Sequence, residues 1–185
     1  IISEKINANV KANGSTTTGA QALYDVVRKL PPSSKLNFAL KDQSKLKLIS
    51  GMSDYELTCL SPDEFPILED NINEEPTIIE SKQFLKLLNK TKFAISNDET
   101  RHYLNGIYLG CDQHNKSKLI AVATDGHRLC KTLIEVQDIK NFQSIILPKK
   151  TIFELLTILG DENKNIKIIS TKSKIKFIID NIILI

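Results

Sequence analysis

The stretch Leu119-Ile-Ala-Val-Ala-Thr-Asp-Gly-His-Arg-Leu-Cys130 carries the strongest fold signal in this chain. Its first half, residues 119–123, is apolar and partly β-branched, which is typical of a buried strand. The Thr-Asp-Gly at 124–126 then breaks the strand, because glycine accepts the positive φ of a tight turn and aspartate hydrogen-bonds its own backbone. A return strand follows. The stretch therefore predicts a hairpin that displays His127 and Arg128 beside its turn.

Residue types alone leave two interpretations of this turn open. Asp125 and His127 suggest acid–base chemistry in a small hydrolase or nucleotide-binding enzyme, but a catalytic pair also needs a nucleophile and an orienting group. The sequence shows no phosphate-cradling glycine-rich loop, no nucleophile elbow and no metal-ligand cluster. The other interpretation is an ordinary hairpin whose turn carries polar side chains.

Composition narrows the class of protein. The chain has 185 residues, 41% of them hydrophobic, and a net charge of +3, which does not by itself announce a nucleic-acid binder. No run approaches the roughly 18 apolar residues of a membrane helix. Three cysteines and three histidines are too scattered for a disulfide framework or a zinc site. We expect a cytoplasmic protein with no metal, no cofactor and no membrane contact.

An internal repeat organises the rest of the chain. Helices are predicted to start near residues 19, 81 and 149, and each stands in a β-α-β-β-β unit. Residues 61–76 are acidic and bounded by prolines, which suits a boundary between domains. We therefore predict an α+β protein with antiparallel sheets on one side and helices on the other, divided into domains 1–70 and 71–185. The start inside a strand, without an initiating methionine, leads us to expect a piece of a longer protein.

The helix predicted from Ser81 has two unlike faces. Apolar side chains recur on one face at helical spacing, as expected for a core-facing side. Lysines occupy the opposite face, at Lys82, Lys86 and Lys90 among others. A lysine-bearing face is commonly just solvated. If this one binds nucleic acid, the contacts are to duplex phosphates and independent of sequence, since the face has no aromatic side chains for stacking.

Two motifs carry a resemblance to a known family. The strings Ala123-Thr-Asp-Gly-His-Arg-Leu129 and Arg101-His-Tyr-Leu-Asn-Gly106 closely resemble the middle domain of the bacterial DNA polymerase III β subunit, the sliding clamp. Leu57-Thr-Cys-Leu-Ser-Pro-Asp-Glu-Phe-Pro66 resembles the end of the clamp's first domain. The resemblance implies the DNA-clamp fold, and it matches the second half of the first domain followed by nearly all of the middle domain.

The resemblance also implies a function and a set of partners. Clamps of this family are non-catalytic processivity factors for DNA replication, and the full-length protein forms a homodimeric ring around double-stranded DNA without reading its sequence. They bind the DNA polymerase III catalytic subunit, the clamp loader and repair polymerases through linear peptide motifs. The residues of this chain that match the family's peptide pocket are Leu104, Thr124, Gly126, His127, Arg128 and Leu129.

Contacts to DNA carry over from the family less completely. Where relatives offer a glutamine and two tyrosines before the Leu-Asn-Gly segment, this chain has Asp98, His102 and Tyr103, so that only the last tyrosine is retained. Gln21 stands where some relatives have arginine. The residues that we expect to face DNA, from the basic helix and from the resemblance together, are Lys82, Lys86, Lys90, Arg101 and Tyr103. For Arg101, an ion pair within the fold is at least as good an interpretation as a DNA contact.

Overall fold

The chain divides into two compact units in a computed structural model. The model describes residues 1–42, 44–66, 72, 74–160 and 163–185, apart from the side chain of residue 42. The larger unit comprises Ile1–Asn7 with Asp70–Ile185, and the smaller unit comprises Ala8–Glu69. Within the described residues, no helix is both long enough and apolar enough to cross a bilayer.

The regular elements follow one another in the order that the repeat predicts. The N-terminal strand and the elements of the smaller unit are β1 (Ile2–Glu4), β2 (Thr17–Thr18), α1 (Ala20–Val27), β3 (Asn37–Asp42), β4 (Lys45–Ser50) and β5 (Ser53–Leu60). The first repeat of the larger unit contains β6 (Thr77–Glu80), α2 (Ser81–Thr91), β7 (Gly106–Cys111), β8 (Lys118–Thr124) and β9 (Leu129–Glu135). The second contains β10 (Ile145–Pro148), α3 (Lys149–Leu159), β11 (Asn165–Ser170), β12 (Ile175–Ile179) and β13 (Ile182–Leu184).

The two repeats of the larger unit exchange their first strands. One sheet has the order β1-β13-β12-β11-β6 and the other has the order β10-β7-β8-β9, with every neighbouring pair antiparallel. Thus β6, which leads into α2, pairs with β11 of the second repeat. In return β10, which leads into α3, pairs with β7 of the first repeat. Neither repeat completes its sheet without the other, so the two repeats form one domain.

Helix α2 shows why the larger unit folds around a single core. Phe84, Leu87 and Leu88 are fully buried, while the lysines of the opposite face are exposed. Burying a side chain of this size contributes about 1.5–3 kcal/mol of stability, before the entropy cost of folding is counted. The ring of Phe84 lies 5.9 Å from that of Phe177 in β12, so helix and far sheet share the core. Helix α2 also packs on β8 and β9, which supports the sheet that carries the hairpin.

The smaller unit is one antiparallel sheet with a helix packed on it. Its strand order is β2-β5-β4-β3, and Leu46, Leu57 and Cys59 form a buried cluster against which Leu23 and Val26 of α1 pack. No residue of α1 is itself fully buried. This core is much smaller than that of the larger unit, and we expect a correspondingly smaller share of the chain's stability from it.

The predicted fold class is confirmed, and its helices begin at or within one residue of the predicted positions. The N-terminal segment differs from the simple prediction, because residues 1–7 extend the sheet of the larger unit through the β1–β13 ladder. The predicted domain boundary, between residues 70 and 71, lies outside the described residues. A 3₁₀ turn at His102–Leu104 precedes β7.

Gly106 tests the strand exchange. A Cβ at this position lies 2.2 Å from the backbone oxygen of Leu147, so Gly106→Ala must separate the β7 and β10 strands. We expect this forced overpacking to lower the free energy of unfolding by about 1–3 kcal/mol. Urea unfolding followed by circular dichroism measures the loss.

Gly110 of the same strand provides the matched control. A Cβ there meets only the ends of two side chains, the Ser144 hydroxyl at 2.6 Å and the Tyr108 hydroxyl at 2.7 Å, and both can move aside. Gly110→Ala is therefore expected to cost clearly less. Equal losses in the two variants would contradict the close backbone approach at Gly106.

Candidate functional site

The β8–β9 hairpin forms as the sequence predicts. Thr124 pairs with Leu129 at the end of the ladder, and the four residues between them make the tip. Gly126 has a φ of +92°, a backbone conformation that residues with a Cβ rarely adopt. The Thr124 hydroxyl donates to the carbonyl of Arg128 at 2.7 Å and accepts from the amide of Gly126 at 3.1 Å. The tip is thus closed by its own side chains.

Asp125 organises the hairpin tip. Its Oδ1 accepts hydrogen bonds from the backbone amides of His127 and Arg128, both at 3.0 Å, and its Oδ2 accepts from Arg128 Nε at 3.0 Å. The two backbone amides, followed by the Arg128 guanidinium, lower the pKa of this carboxyl from 3.8 to about 2. Asp125 therefore stays ionised at neutral pH, and it accepts three hydrogen bonds from the turn.

Arg128 ties the hairpin tip to the segment that follows α2. Its Nη2 donates to the carbonyl of Phe93 at 2.9 Å, and the guanidinium lies 5.4 Å from the centre of the Phe93 ring. Both contacts involve an arginine whose Nε is already held by Asp125. The side chain is thus oriented along the protein surface, and we expect it to stiffen the tip more than a freely solvated arginine does.

The six residues predicted to bind a partner peptide lie on two elements, the β8–β9 hairpin and the 3₁₀ turn before β7. Five belong to the hairpin, while Leu104 is half-buried in the 3₁₀ turn, where its carbonyl accepts from the amide of Ser96 at 3.0 Å. Leu129 is 66% exposed, so its apolar side chain is accessible to a partner. Neither of the two clefts found in the described part of the chain, of about 520 and 510 Å³, is lined by these six residues.

The hairpin leucine and the basic helix face lie on opposite sides of the same sheet. In β9, Ile134 is buried and Cys130 Sγ lies 3.1 Å from the carbonyl oxygen of Lys90 in α2, so the even-numbered residues face the helix. Leu129, which alternates with them, faces away from it. The lysines at 82, 86 and 90 are exposed on α2 and pair with no carboxylate among the described residues.

Two further residues expected to face DNA precede β7. Tyr103 is 67% exposed, so its ring is accessible to a bound duplex. Arg101, in contrast, is half-buried and its Nε donates to Asp98 Oδ2 at 2.8 Å. The hydroxyl and amide of Thr100, and then this guanidinium, lower the pKa of Asp98. Arg101 Nη1 also lies 3.2 Å from the position that a Cβ on Gly126 occupies. The structure therefore brings Arg101 to the hairpin tip.

The enzymatic alternative receives no support from this geometry. The Asp125 carboxylate accepts its hydrogen bonds from within the turn. His127 donates to it through the backbone amide and not through the imidazole ring. No group of three or more potential metal ligands occurs in the part of the chain that the structure describes. The sequence did not single out Phe93, whose only signal was an aromatic residue at the polar end of α2. It left open an ion pair for Arg101 within the fold but did not identify Asp98 as the partner, although the Asp-x-x-Arg spacing carries that signal.

Comparison with known proteins agrees with these observations. Residues 78–185 match the family model "DNA polymerase III beta subunit, central domain", and residues 1–69 match "DNA polymerase III beta subunit, N-terminal domain". The β sliding clamp of Rickettsia bellii is 37% identical over all of this chain and 48% of its own length. That of Staphylococcus aureus is 27% identical over 94% of the chain and 45% of its own length. The chain spans about half the length of the curated relatives it matches.

Solved structures show the same relationship. The sliding clamp of Bartonella birtlesii bound to griselimycin has a TM-score of 0.90 and 33% identity, over 98% of this chain and 49% of its own. The Caulobacter crescentus polymerase III β has a TM-score of 0.91 and 29% identity, over 98% and 50%. With its hairpin motif, its exchanged repeats and both domain matches in sequence order, the chain belongs to the family of bacterial DNA polymerase III β subunits, the β sliding clamps.

Proposed function

We propose that this chain forms part of the ring of a DNA-replication processivity factor that has no catalytic activity of its own. Two full-length copies close a homodimeric ring around double-stranded DNA in the cytoplasm. The ring tethers the DNA polymerase III catalytic subunit, the clamp loader and repair polymerases through their linear peptide motifs. Family membership supports this proposal, and the ring is assigned to a protein of full clamp length, since the chain spans about half of that length.

The observation that carries the proposal is the two-sided construction of the larger unit. An exposed lysine row lies on α2, and the exposed Leu129 lies on the opposite side of the sheet that α2 covers. A tether must hold DNA and a partner at once, and separate sides allow simultaneous binding without competition. A surface with one function has no need of this separation.

The lysine row suits a duplex that slides. Lys82, Lys86 and Lys90 are spaced by four residues and therefore stand in line, about 6 Å apart along the helix axis. Lysines act as point charges toward phosphates and read no base edges. Tyr103 adds an exposed ring. Such contacts supply affinity that is independent of sequence and sensitive to salt.

The hairpin suits an apolar linear peptide. Leu104 and Leu129 supply the apolar surface, and His127 with Arg128 forms a polar edge beside it, the usual arrangement of a peptide site. Because Asp125 and Phe93 hold the tip, little conformational entropy is lost on binding. The opposite wall of the site belongs to the part of a full-length clamp that follows this chain.

The first prediction concerns the lysine row. In a full-length clamp that carries this chain, the combined variant Lys82→Glu, Lys86→Glu and Lys90→Glu is expected to leave DNA faster. Its retention should also depend less on salt, because the slope against log salt falls by about 0.9 for each lost phosphate contact. Dissociation from circular duplex DNA across a salt series measures both effects.

The control applies the same charge change elsewhere. Lys131, Lys167 and Lys172 are exposed lysines outside α2, and their combined replacement by glutamate alters net charge equally. We expect it to shift retention slightly through the overall field and to keep the salt slope. If the triple glutamate variant of α2 keeps the wild-type salt slope, the lysine face of this helix does not bind DNA.

The second prediction concerns Leu129. Truncation by Leu129→Ala removes apolar contact and is expected to cost about 1 kcal/mol or more in peptide affinity, roughly fivefold or more in Kd. Fluorescence anisotropy with a labelled peptide from the C-terminal tail of the polymerase III catalytic subunit measures it. Leu133→Ala is the matched control, because Leu133 lies on the same face of β9, 45% exposed and further from the tip. Equal affinities for Leu129→Ala and Leu133→Ala would remove Leu129 from the site.

A further inference from the structure

The loop between α2 and β7 is fastened to the tip of the β8–β9 hairpin at two points. At one point, Arg128 of the tip reaches the Phe93 carbonyl. At the other, Arg101 of the loop reaches the tip and lies against Gly126. The Arg101 approach is close, because Nη1 is 3.2 Å from where a Cβ on residue 126 would stand, a tighter contact than nine in ten real Cβ contacts. The absence of a Cβ at residue 126 therefore permits both the positive φ of the turn and the close approach of the Arg101 guanidinium.

Asp98 sets the direction of the Arg101 side chain. Its Oδ2 accepts from Arg101 Nε at 2.8 Å, while its Oδ1 accepts from the hydroxyl and amide of Thr100 at 2.6 and 3.0 Å. Its own amide donates to the Ser96 hydroxyl at 3.1 Å. These hydrogen bonds hold the Asp98 carboxylate in place independently of Arg101. The carboxylate in turn orients the Arg101 guanidinium toward Gly126.

The same loop also holds Leu104 of the partner site. The carbonyl of Arg101 accepts from the amide of Leu104 at 2.9 Å, and the carbonyl of Leu104 accepts from the amide of Ser96 at 3.0 Å. Asp98 and Arg101 thus connect Leu104 with the tip of the β8–β9 hairpin, which carries the other predicted residues of the partner site. Their own ion pair is half exposed and worth little as a stabilising contact, so its importance lies in geometry.

We propose that Asp98 and Arg101 are positioning residues of the partner-peptide site, in which Asp98 directs the Arg101 guanidinium against Gly126 and so sets the distance between Leu104 and the hairpin tip. This inference rests on the proposed function of the hairpin. It moves Arg101 from the DNA-binding set, where the family resemblance placed it, to the partner site. It also assigns a role to Asp98, which the DNA-binding set left out.

The test is a double-mutant cycle in a full-length clamp that carries this chain. Arg101→Ala is expected to weaken binding of the labelled polymerase-tail peptide about tenfold, and Asp98→Asn about threefold. Because Asp98 acts through Arg101, the double variant should bind no more weakly than Arg101→Ala alone. Arg101→Lys should fail to restore affinity, since an ammonium lacks the planar fork that reaches Gly126 while bonding Asp98.

Two controls separate positioning from folding. Asp25 and Arg28 of the smaller unit form an ion pair with the same spacing, Nε to Oδ1 at 3.2 Å, and Asp25→Asn with Arg28→Ala should keep wild-type peptide affinity. Hydrogen exchange at the amides of Gly126 and His127 should quicken in Arg101→Ala while the thermal midpoint stays within about 2 °C of wild type.

The outcomes distinguish this inference from the proposed function. If the wild-type clamp binds the peptide and Leu129→Ala weakens it, but Arg101→Ala and Asp98→Asn bind normally, the positioning inference is overturned and the proposed function stands. Additive losses in the double variant would also overturn it. Failure of the wild-type clamp to bind the peptide would overturn both.

Discussion

The exchange of first strands between the two repeats of the larger unit is the constraint on which the rest of the structure depends. The β6–β11 and β10–β7 ladders each join a strand of one repeat to a sheet of the other, so hydrogen bonding within a repeat alone leaves both sheets incomplete. With the exchange, Phe84 of the first repeat reaches Phe177 of the second, and one core supports everything on the surface.

That shared core allows two surfaces to be held rigidly on opposite sides. Helix α2 buries its apolar face against β8 and β9, so its lysines are exposed on one side of the domain. The alternation of side chains in β9 places Leu129 on the other side. A single helix-on-sheet contact therefore separates the surface that we assign to DNA from the surface that we assign to partner peptides.

The hairpin tip shows how a polar cluster can be structural where its residue types suggest catalysis. An aspartate near a histidine resembles an acid–base pair, yet here the carboxylate accepts two backbone amides and a guanidinium, and the pKa that results is far below that of a useful base. The same bonds orient Arg128 toward Phe93. Preorganisation of this kind favours binding, because the tip is ordered before a partner arrives.

The sequence by itself determined the hairpin, the starts of the three helices and the two faces of α2. These depend on turn chemistry at residues 124–126 and on periodicity within one segment, and both are local properties of the chain. Only the tertiary structure decided which strands pair across repeats and where Arg101 and Arg128 reach. Arg128 meets a carbonyl 35 positions away, and Arg101 approaches a glycine whose missing Cβ matters only once the two segments are packed together. Periodicity carries no information about such pairings, since many partners satisfy the same pattern until one core excludes the others.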